Sequence, residues 1–329
     1  MSSMFEPLRL GALSLSNRVV MAPFGRVRAV DHHVPGEAMR SYYCQRASAG
    51  LIIAQAAAVS PQGVSWVDSP GIWCSDQVRG WRQVTDAVHK KGGKIMLQLG
   101  HAGRVSDPEF LLGQIPVAPS AIACPGSLNI SGEPRNYVVP RALHADEIKG
   151  VVEDFAEAAA RAREAGFDGI TIQAGEGSLI DQFLNDHSNL RDDEHGGSVT
   201  NRTRLLLDIV DACIGIWGAD RVGVLLSPLY NQFGMHDSDP ATLFAEVTEH
   251  LDQLGIAFVF VRQIPGAEVF TNLIRDRFGG ALVLNPGQDP ASASSVLADG
   301  IADAVAFGQA FVANPDLIER VQNRIPLND

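Results

Sequence analysis

Two stretches concentrate the side chains able to move a proton or hold a carbonyl group. One is Gln173-Ala-Gly-Glu176-Gly-Ser178, the other Gln98-Leu-Gly-His101-Ala-Gly-Arg104. The Gln173 amide can donate a hydrogen bond to a carbonyl oxygen, whereas Ser178 is a poor acid on a short arm. Glu176 is the strongest candidate for chemistry, because a dry setting raises a carboxyl pKa into the range that suits a general acid or base. Tyr230 and His101 are candidates to orient a ligand beside it. The alternative for Glu176 is a satisfied ion pair with Arg104, Arg26 or another cation, since structural pairs perturb carboxylates as readily as catalysis does. His101 and Arg104 fit either a site or a hydrogen-bonded structural pair at a loop start.

Both stretches close short apolar runs, and such runs recur eight times: Val19–Pro23, Leu51–Val59, Lys94–Gly100, Gly169–Gly175, Val222–Pro228, Ala257–Gln263, Ala281–Gly287 and Ala304–Ala310. They are apolar throughout rather than alternating, as parallel strands covered on both faces must be. Helical periodicity fills the intervals Glu37–Ala49, Asp76–Lys91, Ala145–Ala165, Asn201–Trp217, Pro240–Leu254, Glu268–Phe278 and Asp289–Asp299. Asp146, Asp239 and Asp289 stand near helix starts, where a carboxylate satisfies free amides. Gly50, Gly92, Gly166, Gly255 and Gly300 follow helices, where a left-handed residue ends the last turn. Eight strand–helix units predict one closed (β/α)8 barrel over residues 1–329, whose chemistry lies at the C-terminal ends of the strands. An open doubly wound sheet is the competing architecture, but no GxGxxG follows the first strand. The Pro-, Gly- and Ser-rich stretch 106–144 after the third strand is too long for an ordinary loop and is expected to cap the barrel mouth, with short strands of its own.

A net charge of -12 sets binding to nucleic acid or an anionic membrane against repulsion. Met1–Leu15 lacks the pattern of a signal peptide, and no apolar run nears the roughly 18 residues of a membrane span. Cys44, Cys74, Cys124 and Cys213 are far apart and form no CxxC pair. Those features point to reduced thiols, no metal site and a cytoplasmic protein.

The strand ends Met21-Ala-Pro-Phe-Gly-Arg26, Leu225-Leu-Ser-Pro228, Asn285-Pro-Gly287 and Phe307-Gly-Gln309 join the two stretches above. With Tyr42–Gly50, Leu179-Ile-Asp-Gln-Phe-Leu184 and Glu194-His-Gly-Gly-Ser198, they resemble the old yellow enzymes over nearly the whole chain. That family uses FMN and NAD(P)H to reduce the C=C bond of activated alkenes. The resemblance implies flavin contacts from Pro23, Phe24, Ala56, Gln98, Gly287 and Gly308. It also marks departures. Gly25 stands where the family has Thr or Cys, and Leu225 where an arginine neutralises the reduced ring. Gln309 stands where an arginine pairs with the phosphate, and Pro286 where a glycine offers an amide. Gln173, Glu176 and Ser178 occupy the places of the family's carbonyl-binding pair and proton-donating tyrosine.

Charge-assisted hydrogen bonds contribute roughly 1.5 to 3 kcal/mol each, so losing about three weakens FMN binding by on the order of 5 kcal/mol, or several thousandfold. The expectation is therefore a barrel without a cofactor that carries out a redox-neutral isomerisation, cyclisation or proton transfer on a small carbonyl compound, with Glu176 as acid or base. The alternatives are an FMN- and NADPH-dependent ene-reductase with weakened flavin binding, and a non-catalytic ligand-binding protein. A small-molecule substrate and a homo-oligomer are the expected partners, with no nucleic acid and no membrane.

Overall fold

The computed structural model describes residues 2–130, 132–285, 287 and 290–328. Its centre is the expected closed barrel of eight parallel strands. These are β1 (Val19–Met21), β2 (Leu51–Ala58), β3 (Ile95–Gly100), β4 (Ile170–Gln173), β5 (Val222–Leu226), β6 (Phe258–Arg262), β7 (Ala281–Asn285) and β8 (Ala304–Phe307). Each pairs with its neighbour in sequence, and β8 closes on β1 through Val305–Val19 and Phe307–Met21.

Alternation along each strand divides the apolar residues between two cores. Val20, Leu51, Ile53, Met96, Leu225, Phe258, Phe260, Val283, Ala304 and Ala306 fill the lumen. The hairpin Leu8–Leu10/Leu13–Leu15 adds Leu10, Leu13 and Leu15 to that cluster, and its Ala12 amide donates to Asp220 O at 2.9 Å, just before β5. The outward residues pack on the helices α1 (Glu37–Cys44), α2 (Ser75–Lys90), α3 (Ala145–Glu164), α4 (Leu179–Leu184), α5 (Val199–Trp217), α6 (Pro240–Gln253), α7 (Glu268–Arg277), α8 (Pro290–Ala298), α9 (Gln309–Ala313) and α10 (Leu317–Asn323). Following the same inward face upward, Phe258 and Phe260 lead to Arg262, and Met96 leads to Gln98. Polarity therefore enters the lumen at the C-terminal mouth.

Several local expectations change. α1 stops at Cys44, short of Ala49. Gly50 is not left-handed; it is glycine because a Cβ there would come within 2.1 Å of Asn17 O. Gly92, Gly166, Gly255 and Gly300 do have positive φ. Asp239 caps α6 by accepting from the Thr242 amide at 3.1 Å. At α3 the cap comes instead from Glu147, whose carboxylate accepts from the His144 amide at 2.8 Å, and Asp146 lies in the first turn. Asp289 lies outside the described residues.

Segment 106–144 folds on a small core of its own. A hairpin pairs Ser127–Ile130 with Glu133–Asn136, and Val117–Ala118 runs parallel to Arg141–Ala142. Phe110, Leu111, Cys124, Leu128, Ile130 and Tyr137 pack with Ala58 and Val64, beside the end of β2. Among the described residues no helix is long and apolar enough to cross a membrane.

Candidate active site

Two adjoining cavities open at the C-terminal ends of the strands, with volumes of about 510 Å³ and 300 Å³. The larger brings together Pro23, Phe24, Gly25, Ala56, Gln98, His101, Gln173, Glu176, Ser178 and Tyr230. The smaller takes in Leu225, Gly287, Gly308 and Gln309. Pro23, Phe24, Glu176 and Arg262 wall both. The residues singled out as catalytic or cofactor-binding thus lie at one of two connected spaces, whereas Arg104 lines neither and Pro286 lies outside the described residues.

The loops after β3 and β4 are stitched together from below. Gln182 accepts from the Arg104 amide at 3.1 Å and donates to Ala102 O at 3.0 Å and Gly177 O at 2.7 Å. Leu179 N donates to His101 O at 2.8 Å. Ser178 is the N-cap of α4 and donates its hydroxyl proton to Gln173 O at 2.9 Å, which engages it in structure. Glu176 and Gly177 both take positive φ, 60° and 80°, and this turn is held by Ser227 Oγ accepting from Glu176 N at 2.7 Å and Asp181 Oδ2 accepting from Gly177 N at 2.8 Å.

Glu176 is not the free carboxyl expected of a general acid. It is ion-paired, and its partner is neither Arg104 nor Arg26 but Arg262, from the end of β6. Arg104 is spent elsewhere: it donates to Ile122 O at 3.3 Å, Phe233 O at 2.9 Å and Gly234 O at 3.3 Å, tying segment 106–144 and the loop after β5 to the barrel. His101 and Arg104 are therefore no mutual pair. His101 Nδ1 accepts from Gly103 N at 3.0 Å, so the proton sits on Nε2, which is buried and has no partner among the described residues. Burial lowers the His101 pKa to about 4, so the ring is neutral.

Tyr230 lies against the Arg262 guanidinium, 5.1 Å from its ring centroid, and donates its hydroxyl to Gln232 Oε1 at 2.8 Å. Burial raises the Tyr230 pKa, so the phenol keeps its proton. Phe233 and Trp66 complete the wall of the larger space, held by Tyr137 and Phe110 of segment 106–144. The residues that sequence reasoning missed are Arg262, Gln55, Phe233 and Trp66. Gln55 accepts from Arg26 N at 2.6 Å and so fixes the chain after β1. Arg262 carried a readable signal, a charge terminating the otherwise apolar run of β6 at the functional end of a barrel strand.

Gln98 gives a direct test of whether a cofactor with polar edges fits. It faces the larger cavity, is 1% exposed, and its Nε2 has no partner among the described residues. A buried amide without a partner costs about 1 to 3 kcal/mol, which a ligand acceptor would relieve. Gly25 and Gly287 leave open space where a side chain would stand. The residues present fit FMN.

A (β/α)8 barrel with a two-part cavity at its C-terminal mouth has the frame of a barrel enzyme, and comparison with known proteins gives its family. Residues 3–328 match the NADH:flavin oxidoreductase / NADH oxidase family, and the chain belongs to it. It is 41% identical to a probable flavin mononucleotide-dependent alkene reductase of Leishmania infantum, with 99% of this chain and 92% of the relative covered. A 12-oxophytodienoate reductase of Oryza sativa is 37% identical, with 99% and 87% covered. Among solved structures, morphinone reductase in complex with tetrahydroNAD superposes with a TM-score of 0.94 at 43% identity, over 99% of this chain and 92% of that one. The old yellow enzyme homologue from Zymomonas mobilis gives 0.96 at 42%, over 99% and 94%.

These findings overturn two expectations, that the chain uses no cofactor and that it performs redox-neutral chemistry with Glu176 as free acid or base. The departures at Leu225, Gln309 and Pro286 therefore do not take the chain out of a flavin-using family.

Proposed function

We propose that this chain is an FMN-dependent reductase that takes electrons from NADH or NADPH and reduces the C=C bond of a small alkene activated by a carbonyl group. The unpartnered Gln98 amide in the larger cavity carries the reading, in a chain of this family. Pro23, Phe24, Gly25, Ala56 and Gln98 would hold the cofactor on the larger side, and Leu225, Gly287, Gly308 and Gln309 on the smaller. When bound, FMN supplies the two-electron reduction.

The chain supplies orientation and a proton. The Gln173 side chain, at the end of β4, donates to the carbonyl oxygen of the substrate and polarises the conjugated bond. Neutral His101 offers a second N–H from Nε2. Tyr230 is the proton donor: its phenol stays protonated and lines the cavity, and after transfer solvent water at the exposed side, where the hydroxyl meets Gln232 Oε1, returns a proton to the phenolate. Ser178 positions Gln173 through the main chain. Segment 106–144 acts as a cap that sets Trp66 and Phe233 against the substrate and excludes water.

The test is anaerobic oxidation of NADPH by FMN-loaded protein, with and without 2-cyclohexenone. Turnover that requires the enone, and falls roughly 10²-fold in Tyr230→Phe while FMN remains bound, supports the reading. Enone-independent oxidation, or full activity in Tyr230→Phe, contradicts the respective part of it.

A further inference from the structure

Arg262 and Glu176 are the only charged side chains among the described residues lining either cavity. Paired with each other, they leave both spaces without net charge. FMN brings a phosphate that is close to doubly ionised at neutral pH, and burying such a group without a cation is strongly unfavourable. Leu225 and Gln309 bring no charge.

The Arg262 side chain is 41% exposed, and the more deeply buried arginines of this protein are tied down. Arg46 donates to Phe311 O, Tyr42 O and Val312 O at 2.7, 2.7 and 3.1 Å, and Arg191 donates to Pro119 O and Leu143 O at 3.0 and 2.6 Å. Arg262 is different. Among the described residues its guanidinium meets the Glu176 carboxylate and the face of Tyr230, and donates to no backbone carbonyl. It is held by one exchangeable anion. Glu176 in turn stands on a left-handed backbone, φ 60°, which a non-glycine residue adopts only when its surroundings impose it. The pair stands where the two cavities meet, and Arg262 pairs in register with Asn285 of β7, which lines the smaller cavity with Gly287 and Gly308.

We infer that Arg262 is the phosphate-binding cation of this chain, and that Glu176 is a place-holding anion that the phosphate of FMN displaces. The inference rests on the FMN reading above and assigns the source of positive charge for it. Arg262 exchanges one charge-assisted contact for another, and the freed Glu176 carboxylate turns to solvent at the mouth.

The experiment measures dissociation constants of FMN and riboflavin for flavin-stripped protein by quenching of flavin fluorescence. Riboflavin has the same ring and ribityl chain without the phosphate. The wild type is expected to prefer FMN. Arg262→Met should lower that preference about ten- to a hundredfold by weakening FMN alone, the range of one charge-assisted contact. Arg262→Lys should keep most of the preference, and Glu176→Gln should tighten FMN without tightening riboflavin. Thermal melts establish that each variant is folded, and Glu176→Gln carries the test if the methionine variant is not, because FMN affinity unchanged there would overturn the displaced ion pair. A preference unchanged in Arg262→Met, or a wild type that binds both flavins equally, overturns the role of Arg262 and leaves the FMN reading standing. A wild type that binds neither flavin overturns both.

Discussion

The Ser178 hydroxyl donates to the main-chain carbonyl of Gln173 across the turn between them, at 2.9 Å, while capping α4. The bond fixes the strand end that aims the Gln173 amide into the cavity, and it leaves Ser178 no role as acid. Ser178→Ala should therefore cost about 1 kcal/mol of stability, as lost caps do. Turnover should stay within roughly a factor of five of wild type, far from the 10²-fold loss that follows removal of a proton donor. Thermal melting and enone reduction, measured on the same sample, check both halves.

Asp181 is fully buried beneath the same turn, and burial raises its pKa to about 7 against the opposing effects of the Gly177 amide, the Asn185 side chain and Arg104. A carboxyl whose folded pKa lies above its unfolded value binds more protons in the folded state between the two. Its contribution to stability therefore falls as pH rises from about 4 to about 7 and is level beyond. Asp181→Asn removes that dependence. The difference in urea midpoint between wild type and variant should drift in the variant's favour from pH 5 to pH 8, whereas parallel curves would contradict the assignment.

His101 runs the opposite way. Its folded pKa, about 4, lies below the ordinary histidine value, so the unfolded chain binds more protons between about pH 4 and 6.5 and this residue's contribution to stability is lost as pH falls through that window. At neutral pH the ring is an uncharged Nε2 donor. Histidine Cε1 resonances followed by NMR should show one ring that does not titrate between pH 5.5 and 8. A titration of His101 near 6.5 would place it in water instead.

Arg104 joins the barrel to Ile122 of the 106–144 segment and to Phe233 and Gly234 of the loop after β5. Arg104→Met leaves three carbonyls without that donor and should loosen both pieces. Faster amide deuterium exchange is expected over 119–126 and 231–236, with a KM for enone that rises more than kcat falls, because Phe233 is a wall of the cavity. Unchanged exchange in those segments would show that the apolar core around Phe110 and Tyr137 holds them by itself.

The barrel was legible because its strands are buried on both faces and so read as unbroken apolar runs, such as Leu51–Ala58 and Val222–Leu226. Gln98, Gln173 and Glu176 were legible as polar residues closing such runs. What the sequence hid follows from pairing between distant elements. Arg262 lies 86 positions from Glu176 (262 − 176), and no local pattern says that β6 and the loop after β4 meet over Leu225. Ser178 read as a reduced proton donor because its use as a helix cap depends on the six-residue α4, too short to stand out by periodicity. The conformation of 106–144 depends on packing against Ala58 and Val64, contacts made only once the barrel has closed.

The most direct test of the central claim, reduction of alkenes with FMN, is the visible spectrum of the purified protein after incubation with FMN and desalting, followed through addition of NADPH and then 2-cyclohexenone. The account predicts a retained flavin absorption that bleaches with NADPH and returns with the enone in the absence of oxygen. A colourless protein after desalting, or a flavin band that NADPH and the enone leave unchanged, would contradict it.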